Sequence, residues 1–325
     1  MPITLRPLTR DDIPAWAKVL AEAEAVDRTG EHYNEADLAE EMDNPEIEVG
    51  KDIVGAFDDG AMVGYCSVLP RGEGEGLYKV HVEGSVVPTR RGEGIGTLLC
   101  DAMVARAEAA YAERGSALPL KLMSTGKSDN SAQAGLFERA GFTAERWNFV
   151  MRTSLDDLPE AQPLPEGYAF RPYDDTLAEP MLAAHNAAFT DYHPNFTPWT
   201  ETTWRQWVTE SRNFRPALSY VVVVEGTDEI VGYVQSNEFD AYFEATGRRE
   251  AYVAKVGVLA EHRGRGIAAA LLGHCLVAYR EAGFDEASLD VDSENPTGAL
   301  GVYERAGFGV ESRWTNYQRL STPAR

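Results

Sequence analysis

Basic residues are scarce in this sequence, with 30 lysines and arginines against 52 aspartates and glutamates, for a formal net charge of −22. Nucleic-acid backbones and anionic membranes attract basic surfaces, so neither is an expected partner. No apolar run approaches the roughly 18 residues that a membrane-spanning helix requires, and the first ten residues contain no signal-peptide core. The sequence therefore predicts a cytoplasmic protein that binds neither nucleic acid nor membrane.

Cysteine and histidine are also sparse. The three cysteines, Cys66, Cys100 and Cys275, lie in apolar stretches without a CxxC pair, which favours buried free thiols. The six histidines show no spacing typical of metal ligands. We therefore expect neither disulfides nor a metal.

The sequence does contain a long internal repeat. Four segment pairs align in the same order, at separations between 165 and 172 residues: Leu5–Pro7 with Phe170–Pro172, Val63–Tyr65 with Val231–Tyr233, Arg91–Gly96 with Arg263–Ala268, and Glu138–Phe142 with Glu304–Phe308. Residues 153–167 between the copies contain three prolines, which stiffen the chain and remove backbone donors. We predict one duplicated domain, with copies at 1–152 and 168–325 joined by a linker at 153–167.

Each copy has the same pattern of strands and helices. An opening strand and two helical segments precede two strands joined by a turn. A longer strand then leads into a glycine-rich segment and a long helix, Ile95 to Arg114 in the first copy and Ile267 to Ala282 in the second. Another strand, a helix and a last strand follow. This order predicts an α/β (α+β) fold in which helices flank a twisted mixed sheet.

The glycine-rich segment is the strongest chemical signal in each copy. A strand, a glycine turn and a helix N-terminus form an anion site, because free backbone N–H groups and the positive helix end face the ligand. Arg263 and Arg265 add positive charge in the second copy. The second copy alone also fits the loose dinucleotide fingerprint, whereas the first copy has Thr97 at its third position. Plain turn chemistry remains the alternative.

Both copies fit the pattern Arg-x-x-Gly-x-Gly/Ala, at Arg91, Gly94 and Gly96 and at Arg263, Gly266 and Ala268. Here the sequence resembles the GNAT acyltransferase superfamily, whose acetyl-CoA pyrophosphate loop has this form. Asn295 and the segment Tyr303–Phe308 resemble the asparagine and tyrosine region of that family. The resemblance covers nearly the whole chain and implies two tandem GNAT-like domains.

The resemblance also implies roles for individual residues. Backbone groups of Val256 and Val258 would pair with the pantetheine arm of acetyl-CoA, and Asn295 would contact the same cofactor. Tyr303 would protonate the departing thiolate, which acyl transfer from a thioester requires. The expected pyrophosphate loop comprises Arg263, Gly264, Arg265, Gly266, Ile267 and Ala268, and the corresponding first-copy set is Val86, Arg91, Gly92, Gly94 and Gly96.

Two departures from the family pattern affect catalysis. Phe137 occupies the position of Tyr303 in the first copy and has no proton to give, so we expect the first domain to be non-catalytic. Many family members carry a glutamate eleven residues before the glycine motif, where this sequence has Val80 and Tyr252. Glu250 shares a strand face with Tyr252, and it either acts as the base through water or lies at an exposed strand start.

The acceptor is expected near the first two helices of the second copy. Its candidate contacts are Asn186, Phe189, Asp191 and His193, although the same mixture of residues suits a loop that covers a core. The tandem layout, with the complete motif second, is similar to that of the mycothiol synthases, which acetylate the cysteinyl amine of a pseudodisaccharide. Because the fourth-strand glutamate is missing, that substrate is not assigned.

The leading hypothesis is an acetyl-CoA-dependent N-acetyltransferase with a catalytic C-terminal domain. It would transfer the acetyl group to a primary amine of a small molecule by direct attack, since no cysteine lies in a motif suited to an acyl-enzyme. The protein is expected to be a monomer or homodimer. The alternatives are a non-catalytic CoA-binding scaffold and a protein lysine acetyltransferase.

Overall fold

The computed structural model describes residues 2–74, 76–190, 196–295 and 298–321. Two compact units make up the chain, the first formed by Met1–Trp147 with Arg313–Arg325 and the second by Asn148–Ser312. These units differ from the predicted division at residues 152 and 168, because the end of each copy lies in the other unit.

Within the described ranges the helices are α1 (Ile13–Asp27), α2 (Glu35–Met42), α3 (Ile95–Arg114), α4 (Ser131–Arg139), α5 (Ala178–Thr190), α6 (Glu201–Trp204), α7 (Asp240–Thr246), α8 (Ile267–Glu281) and α9 (Ala299–Arg305). A π-helical turn, Arg205–Thr209, continues α6. Short 3₁₀ helices occur at Arg10–Asp12, Pro88–Arg90, Asp175–Leu177, Pro216–Leu218 and Ala260–His262. None of the helices in these ranges is long and apolar enough to cross a membrane.

The strands are β1 (Thr4–Pro7), β2 (Ile53–Asp58), β3 (Ala61–Gly74), β4 (Leu77–Val86), β5 (Leu120–Lys127), β6 (Thr143–Ser154), β7 (Tyr168–Pro172), β8 (Tyr220–Val224), β9 (Ile230–Asn237), β10 (Glu250–Val258), β11 (Glu286–Asp292) and β12 (Gly309–Ser321).

The two units have the same sheet topology. In the first unit the strand order is β1-β2-β3-β4-β5-β12, and in the second it is β7-β8-β9-β10-β11-β6. The pair β4–β5 and its counterpart β10–β11 are parallel, and the other neighbours within each unit are antiparallel. Each unit is therefore a complete mixed sheet with one parallel pair near one edge.

The two copies exchange their last strands. Residues 148–154 of β6, which belongs to the first copy, pair with β11 in the second unit. Residues 314–321 of β12, which belongs to the second copy, pair with β5 in the first unit. The sequence repeat alone does not reveal this exchange, because the chain order of elements is identical with or without it.

The predicted linker packs against the second unit. Its first two residues belong to β6, and Leu155 is buried in the core of that unit. Leu158 and Leu164 pack against the same core, and Pro159 lies beside Gly307. The segment has neither helix nor strand after Ser154, but its leucines fix it in place.

The long helices after the glycine segments anchor the cores. Buried side chains recur along one face of α3 and of α8, with Ile95, Leu99 and Met103 in the first and Ile267, Leu271 and Cys275 in the second. All three cysteines are buried free thiols, as predicted.

Candidate active site

The parallel pair of the second unit is short and leaves one edge of β10 open. Pairing with β11 is confined to Glu250–Tyr252, whereas β10 continues beside β9 as far as Val258. Ala254 is an extra residue on β10, a β-bulge that bends the strand just beyond the end of the parallel pairing. Beyond Tyr252 the β11 side of β10 is free of ladder pairing within the described ranges, and this part includes Val256 and Val258. An extended ligand can add to such an edge as a strand.

The glycine loop after β10 presents backbone N–H groups to solvent. Gly264 and Gly266 have φ angles of +73° and +86°, in the left-handed region that favours glycine. Gly266 is the N-cap of α8, and no side chain caps this helix. A Cβ at either glycine would have no atom within 4 Å, so the space in front of the loop is open. Ile267 is 1% exposed and fixes the start of the helix in the core. The loop fits an anion such as a pyrophosphate.

The Arg263 side chain supports the loop from inside. Its Nε donates to Val258 O at 2.9 Å and its Nη2 donates to Ala188 O at 2.9 Å. The Arg265 side chain donates to the Tyr168 hydroxyl at 2.8 Å and to Glu261 O at 3.0 Å. The loop backbone and the nearby charge of these arginines together form a surface that suits an anion.

The first unit has a matching loop beside a cleft of about 510 Å³. The arginine is held in the same way, since Arg91 Nε donates to Val86 O at 3.0 Å and its two Nη atoms donate to Asp27 at 2.6 and 2.7 Å. The loop centre differs, because Glu93 stands where the second unit has Arg265 and pairs with Arg90 at 2.9 Å. All five residues predicted for this loop line the cleft: Val86, Arg91, Gly92, Gly94 and Gly96.

Tyr303 and Phe137 occupy equivalent packed positions. Tyr303 on α9 is 9% exposed, and its ring centroid lies 6.3 Å from that of Phe308. Phe137 on α4 is 4% exposed, and its ring lies 5.3 Å from that of Phe142. The two units therefore differ at this position by a hydroxyl group on a similarly packed ring.

Tyr252 forms a pair with an acid that the sequence analysis missed. Its hydroxyl donates to Asp290 Oδ2 at 2.7 Å, from β10 to the neighbouring β11. Asp290 is solvent-accessible, yet the protein atoms around it partly desolvate its carboxyl and raise its pKa, and the hydrogen bond from Tyr252 opposes that rise. The sequence feature that could have indicated this pair is Asp290 itself, an acid between the apolar residues Leu289 and Val291 of β11.

Glu250 lies in a buried ion-pair network. It is 8% exposed, so the alternative of an exposed strand start is wrong. Arg152 Nη1 donates to Glu250 at 2.5 Å and to Glu286 at 3.1 Å, and its Nε lies 3.0 Å from Glu311. Burial raises the pKa of Glu250 and the charge of Arg152 opposes this rise. These contacts give Glu250 a structural role.

The structure describes two of the four predicted acceptor contacts, Asn186 and Phe189. Asn186 clamps the following loop, since its Oδ1 accepts from Trp199 N at 2.8 Å and its Nδ2 donates to Trp199 O at 2.9 Å. Phe189 packs on His185, a buried imidazole whose Nδ1 lies 2.5 Å from the Tyr233 hydroxyl. Burial lowers the pKa of His185 to about 3, so it stays neutral. Asp191 and His193 lie outside the described residues.

The described residues contain no group of three or more histidine, cysteine, aspartate or glutamate side chains that could hold a metal.

Both units have an open strand edge beside a glycine loop that starts a helix without a side-chain cap. The chain belongs to the acetyltransferase (GNAT) family: a GNAT family model matches residues 181–308, and a GNAT domain model matches residues 3–143. It is an N-acetyltransferase with tandem GNAT architecture, as the sequence predicted, and proteins of this family use acetyl-CoA.

Relatives that match over most of their length support the assignment to this family. The chain is 32% identical to a mycothiol acetyltransferase of Actinosynnema mirum over 79% of this chain and 78% of that protein. It is 34% identical to a mycothiol acetyltransferase of Kineococcus radiotolerans over 82% and 80% of the two chains. The match to a mycothiol acetyltransferase of Geodermatophilus obscurus is 29% identical over 95% and 97%.

Solved structures confirm the fold. A GCN5-related N-acetyltransferase from Sphaerobacter thermophilus superimposes with a TM-score of 0.74 at 27% identity, over 99% of this chain and 97% of that one. A tandem GNAT protein from the clavulanic acid biosynthesis pathway superimposes with a TM-score of 0.72 at 18% identity, over the full length of both chains.

Proposed function

We propose that the C-terminal half of the chain, residues 168–325, transfers an acetyl group from acetyl-CoA to a primary amine of a small molecule. The observation that carries this proposal is the difference between the two units at equivalent positions. The second unit has Tyr303 where the first has Phe137, and it has Arg265 in the glycine loop where the first has Glu93. A phenol and a basic loop favour transfer from an anionic thioester, so the first unit is expected to be non-catalytic.

The second unit offers suitable groups along the whole length of acetyl-CoA. The backbone of residues 264–268 at the start of α8 would bind the pyrophosphate, and the open edge of β10 at Val256 and Val258 would pair with the pantetheine arm. Asn295 ends the turn after β11, its N–H donating to Asp292 O at 3.1 Å, and is our proposed contact to the same arm. Acetyl-CoA supplies the activated acetyl group.

The proton of the attacking amine is proposed to leave through Tyr252 and Asp290. A protonated amine is not nucleophilic, so a group at the site must accept its proton. Asp290 has a raised pKa and accepts a hydrogen bond from Tyr252, which itself lies at the end of the parallel pairing. Tyr303 is proposed to donate a proton to the departing sulfur.

The names of the relatives favour one class of acceptor. Several homologues that match over most of their length are mycothiol acetyltransferases, which favours a small-molecule amine over a protein lysine. Because Tyr252 stands where the family pattern has glutamate, the particular amine is left to experiment. The test is thiol release from acetyl-CoA with a panel of amines that includes a cysteinyl pseudodisaccharide, simple primary amines and a lysine peptide. Acetyl-CoA binding without turnover on any of them would favour the scaffold function instead.

Asp290→Asn is expected to reduce kcat/KM roughly 100-fold, since general-base catalysis contributes about that much or more. In the wild type, activity should rise with pH through the raised pKa of Asp290. Tyr252→Phe removes the hydrogen bond that lowers this pKa, so the acidic limb of the pH–rate profile should move to higher pH. The profile is measured by thiol release from pH 5 to 9. An unchanged acidic limb in both variants would exclude this pair as the base.

Gly266→Ala is expected to raise KM for acetyl-CoA about tenfold. Alanine disfavours a φ of +86°, and its Cβ projects into the open space in front of the loop. The matched control is Gly94→Ala, which makes the same change at a φ of +87° in the first unit. If the second unit is catalytic, the control leaves steady-state kinetics unaltered. Equal effects of the two substitutions would contradict that assignment.

A further inference from the structure

The first unit contains a second cleft of about 360 Å³, bordered by α1, β4 and β5. This cleft adjoins the one around the glycine loop, because both share the lining residues Asp27, Tyr65, Gly84, Ser85, Asn130 and Gln133. We call it the acidic cleft, for the carboxylates that line it: Glu24, Asp27, Glu31, Glu83 and Asp129. Lys127 is the basic residue of the lining, and it donates to backbone oxygens of Asp27 and Arg28 at 3.2 and 2.9 Å.

Two of these carboxylates are already bound within the protein. Glu24 accepts hydrogen bonds from the backbone N–H groups of Thr29 and Gly30 at 2.8 and 2.9 Å. Asp27 forms the ion pair with Arg91. Their contacts hold the end of α1 and the glycine loop, so neither is the counter-ion that a ligand would use.

Glu83 on β4 is the carboxylate placed for a ligand. Its side chain is 45% exposed, with the Tyr65 hydroxyl at 3.4 Å and His81 Nε2 at 3.7 Å. Burial alone would raise the pKa of Glu83, but hydrogen bonds from His81, Ser67 and Tyr65 lower it, so the carboxyl carries its negative charge. Burial, together with the negative charge of Glu83, raises the pKa of Glu41 on α2 to about 8, and Arg71 opposes this rise. A bound cation would offset the charge of Glu83 and so lower the pKa of Glu41.

Aromatic rings complete the wall of the acidic cleft. Tyr33, Tyr65 and Trp314 line it together with Glu83. Aromatic faces and a carboxylate are the combination that recognises organic ammonium groups, since a ring attracts a cation that is only weakly hydrated.

An independent sign of a ligand is the hydroxyl of Ser124 on β5. Ser124 is 2% exposed and lines the acidic cleft, and its Oγ has no hydrogen-bond partner within the described ranges. A buried hydroxyl without a partner is costly, and a ligand or solvent that reaches it from the cleft would remove this cost. An ammonium ligand with a polar substituent would supply that partner.

The second unit reverses the charge at the equivalent position. Glu83 lies eight residues before Arg91, and Lys255 lies eight residues before Arg263. The Lys255 ammonium is 4.6 Å from the centroid of the Trp199 ring. The two units therefore present opposite charges at this point, and the acidic cleft does not simply duplicate the corresponding region of the second unit.

We propose that the acidic cleft binds a small organic cation, a primary or quaternary ammonium, with Glu83 as its counter-ion. Phe137 on α4 stands where the second unit has Tyr303, so the first unit lacks the phenol proposed for catalysis. The cation is therefore bound in the acidic cleft and not acetylated. This site is separate from the proposed catalytic site and does not depend on which amine that site acetylates.

Calorimetry of the full-length protein without acetyl-CoA tests the site. The probes are benzyltrimethylammonium, which cannot be acetylated, and benzyl alcohol as the neutral control. We expect the cation to bind at least tenfold more tightly than the alcohol, Glu83→Gln to weaken cation binding roughly tenfold or more, and Asp290→Asn in the other unit to leave it unchanged. Equal binding of the two probes, or equal binding by wild type and Glu83→Gln, would overturn the proposal.

Two further measurements keep the test decisive if Glu83→Gln loses stability. Glu83→Lys copies the charge of the second unit and should abolish binding of the cation. In the wild type the bound cation should lower the pKa of Glu41 and so release a proton near pH 7, which is read by comparing binding enthalpies in buffers of different ionisation enthalpy. Glu41→Gln should remove this proton release. Binding without proton release in the wild type would exclude Glu83, the neighbour of Glu41, as the counter-ion.

Discussion

Replacing Tyr303 with phenylalanine is expected to lower kcat roughly 100-fold or more while KM for acetyl-CoA stays nearly unchanged. The substitution removes only the phenol oxygen, which is proposed to protonate the leaving thiolate. The ring itself should pack as before, since Phe137 already occupies the equivalent position in the first unit against Phe142. Thiol-release kinetics with a saturating amine provide the measurement, and a thermal-unfolding midpoint checks the fold.

The matched control for this prediction is Phe137→Tyr. It adds a phenol to the first unit but leaves Glu93 in the glycine loop, so we expect no gain in kcat. A Tyr303→Phe variant with wild-type kcat would exclude the proposed acid. A large loss of activity in Phe137→Tyr, with Tyr303 intact, would show that the first unit contributes to turnover.

Replacing Arg152 with methionine is expected to lower the free energy of unfolding by about 3–5 kcal/mol, the usual cost of leaving buried carboxylates without their partner. Arg152 contacts Glu250 and Glu286, whose side chains are each 8% exposed. Urea denaturation at neutral pH measures the loss. The control is Arg319→Ala, which removes a solvent-exposed pair with Glu108 and should cost at most about 1 kcal/mol.

The loss in Arg152→Met should depend on pH. Burial already raises the pKa of Glu250 in the folded protein, and removal of Arg152 raises it further. A carboxyl with a raised folded-state pKa favours the folded state below its unfolded pKa, and this stability is lost as pH rises through the folded pKa. The deficit of the variant should therefore be largest at neutral pH and shrink towards pH 4. A deficit that is small and constant with pH would contradict a buried ion pair.

Much of the fold follows from local patterns in the sequence. Helix α3 spans Ile95–Arg114, the predicted range, because Gly94 and Gly115 adopt left-handed conformations at its two ends. The second of the two helical segments that open the second copy is divided into α6 and a π-helical turn, with Trp204 and Val208 buried on one face. The strand exchange was not predictable, because β6 and β12 follow equivalent helices and either could complete either sheet.

The candidate site was predictable only in part, for a geometric reason. The glycine loops and Tyr303 are contiguous motifs that a single chain segment displays. The pair of Tyr252 and Asp290 joins two strands across 38 positions of sequence. A fixed count back from the glycine motif crosses the extra residue Ala254 on β10, and this bulge changes which of the preceding side chains face the site.

The exchange of β6 and β12 gives the first half of the chain a role that does not depend on any chemistry of its own. A gene cut near residue 160 would encode two products, each carrying a last strand whose pairing partner, β5 or β11, is on the other product. Each product would expose an unpaired sheet edge and an unfilled core, which is a route to aggregation. Deletion of one repeat would therefore leave a stable remainder only if the last strand of the other turned back to complete its own sheet, which ties each repeat to the other in the intact chain.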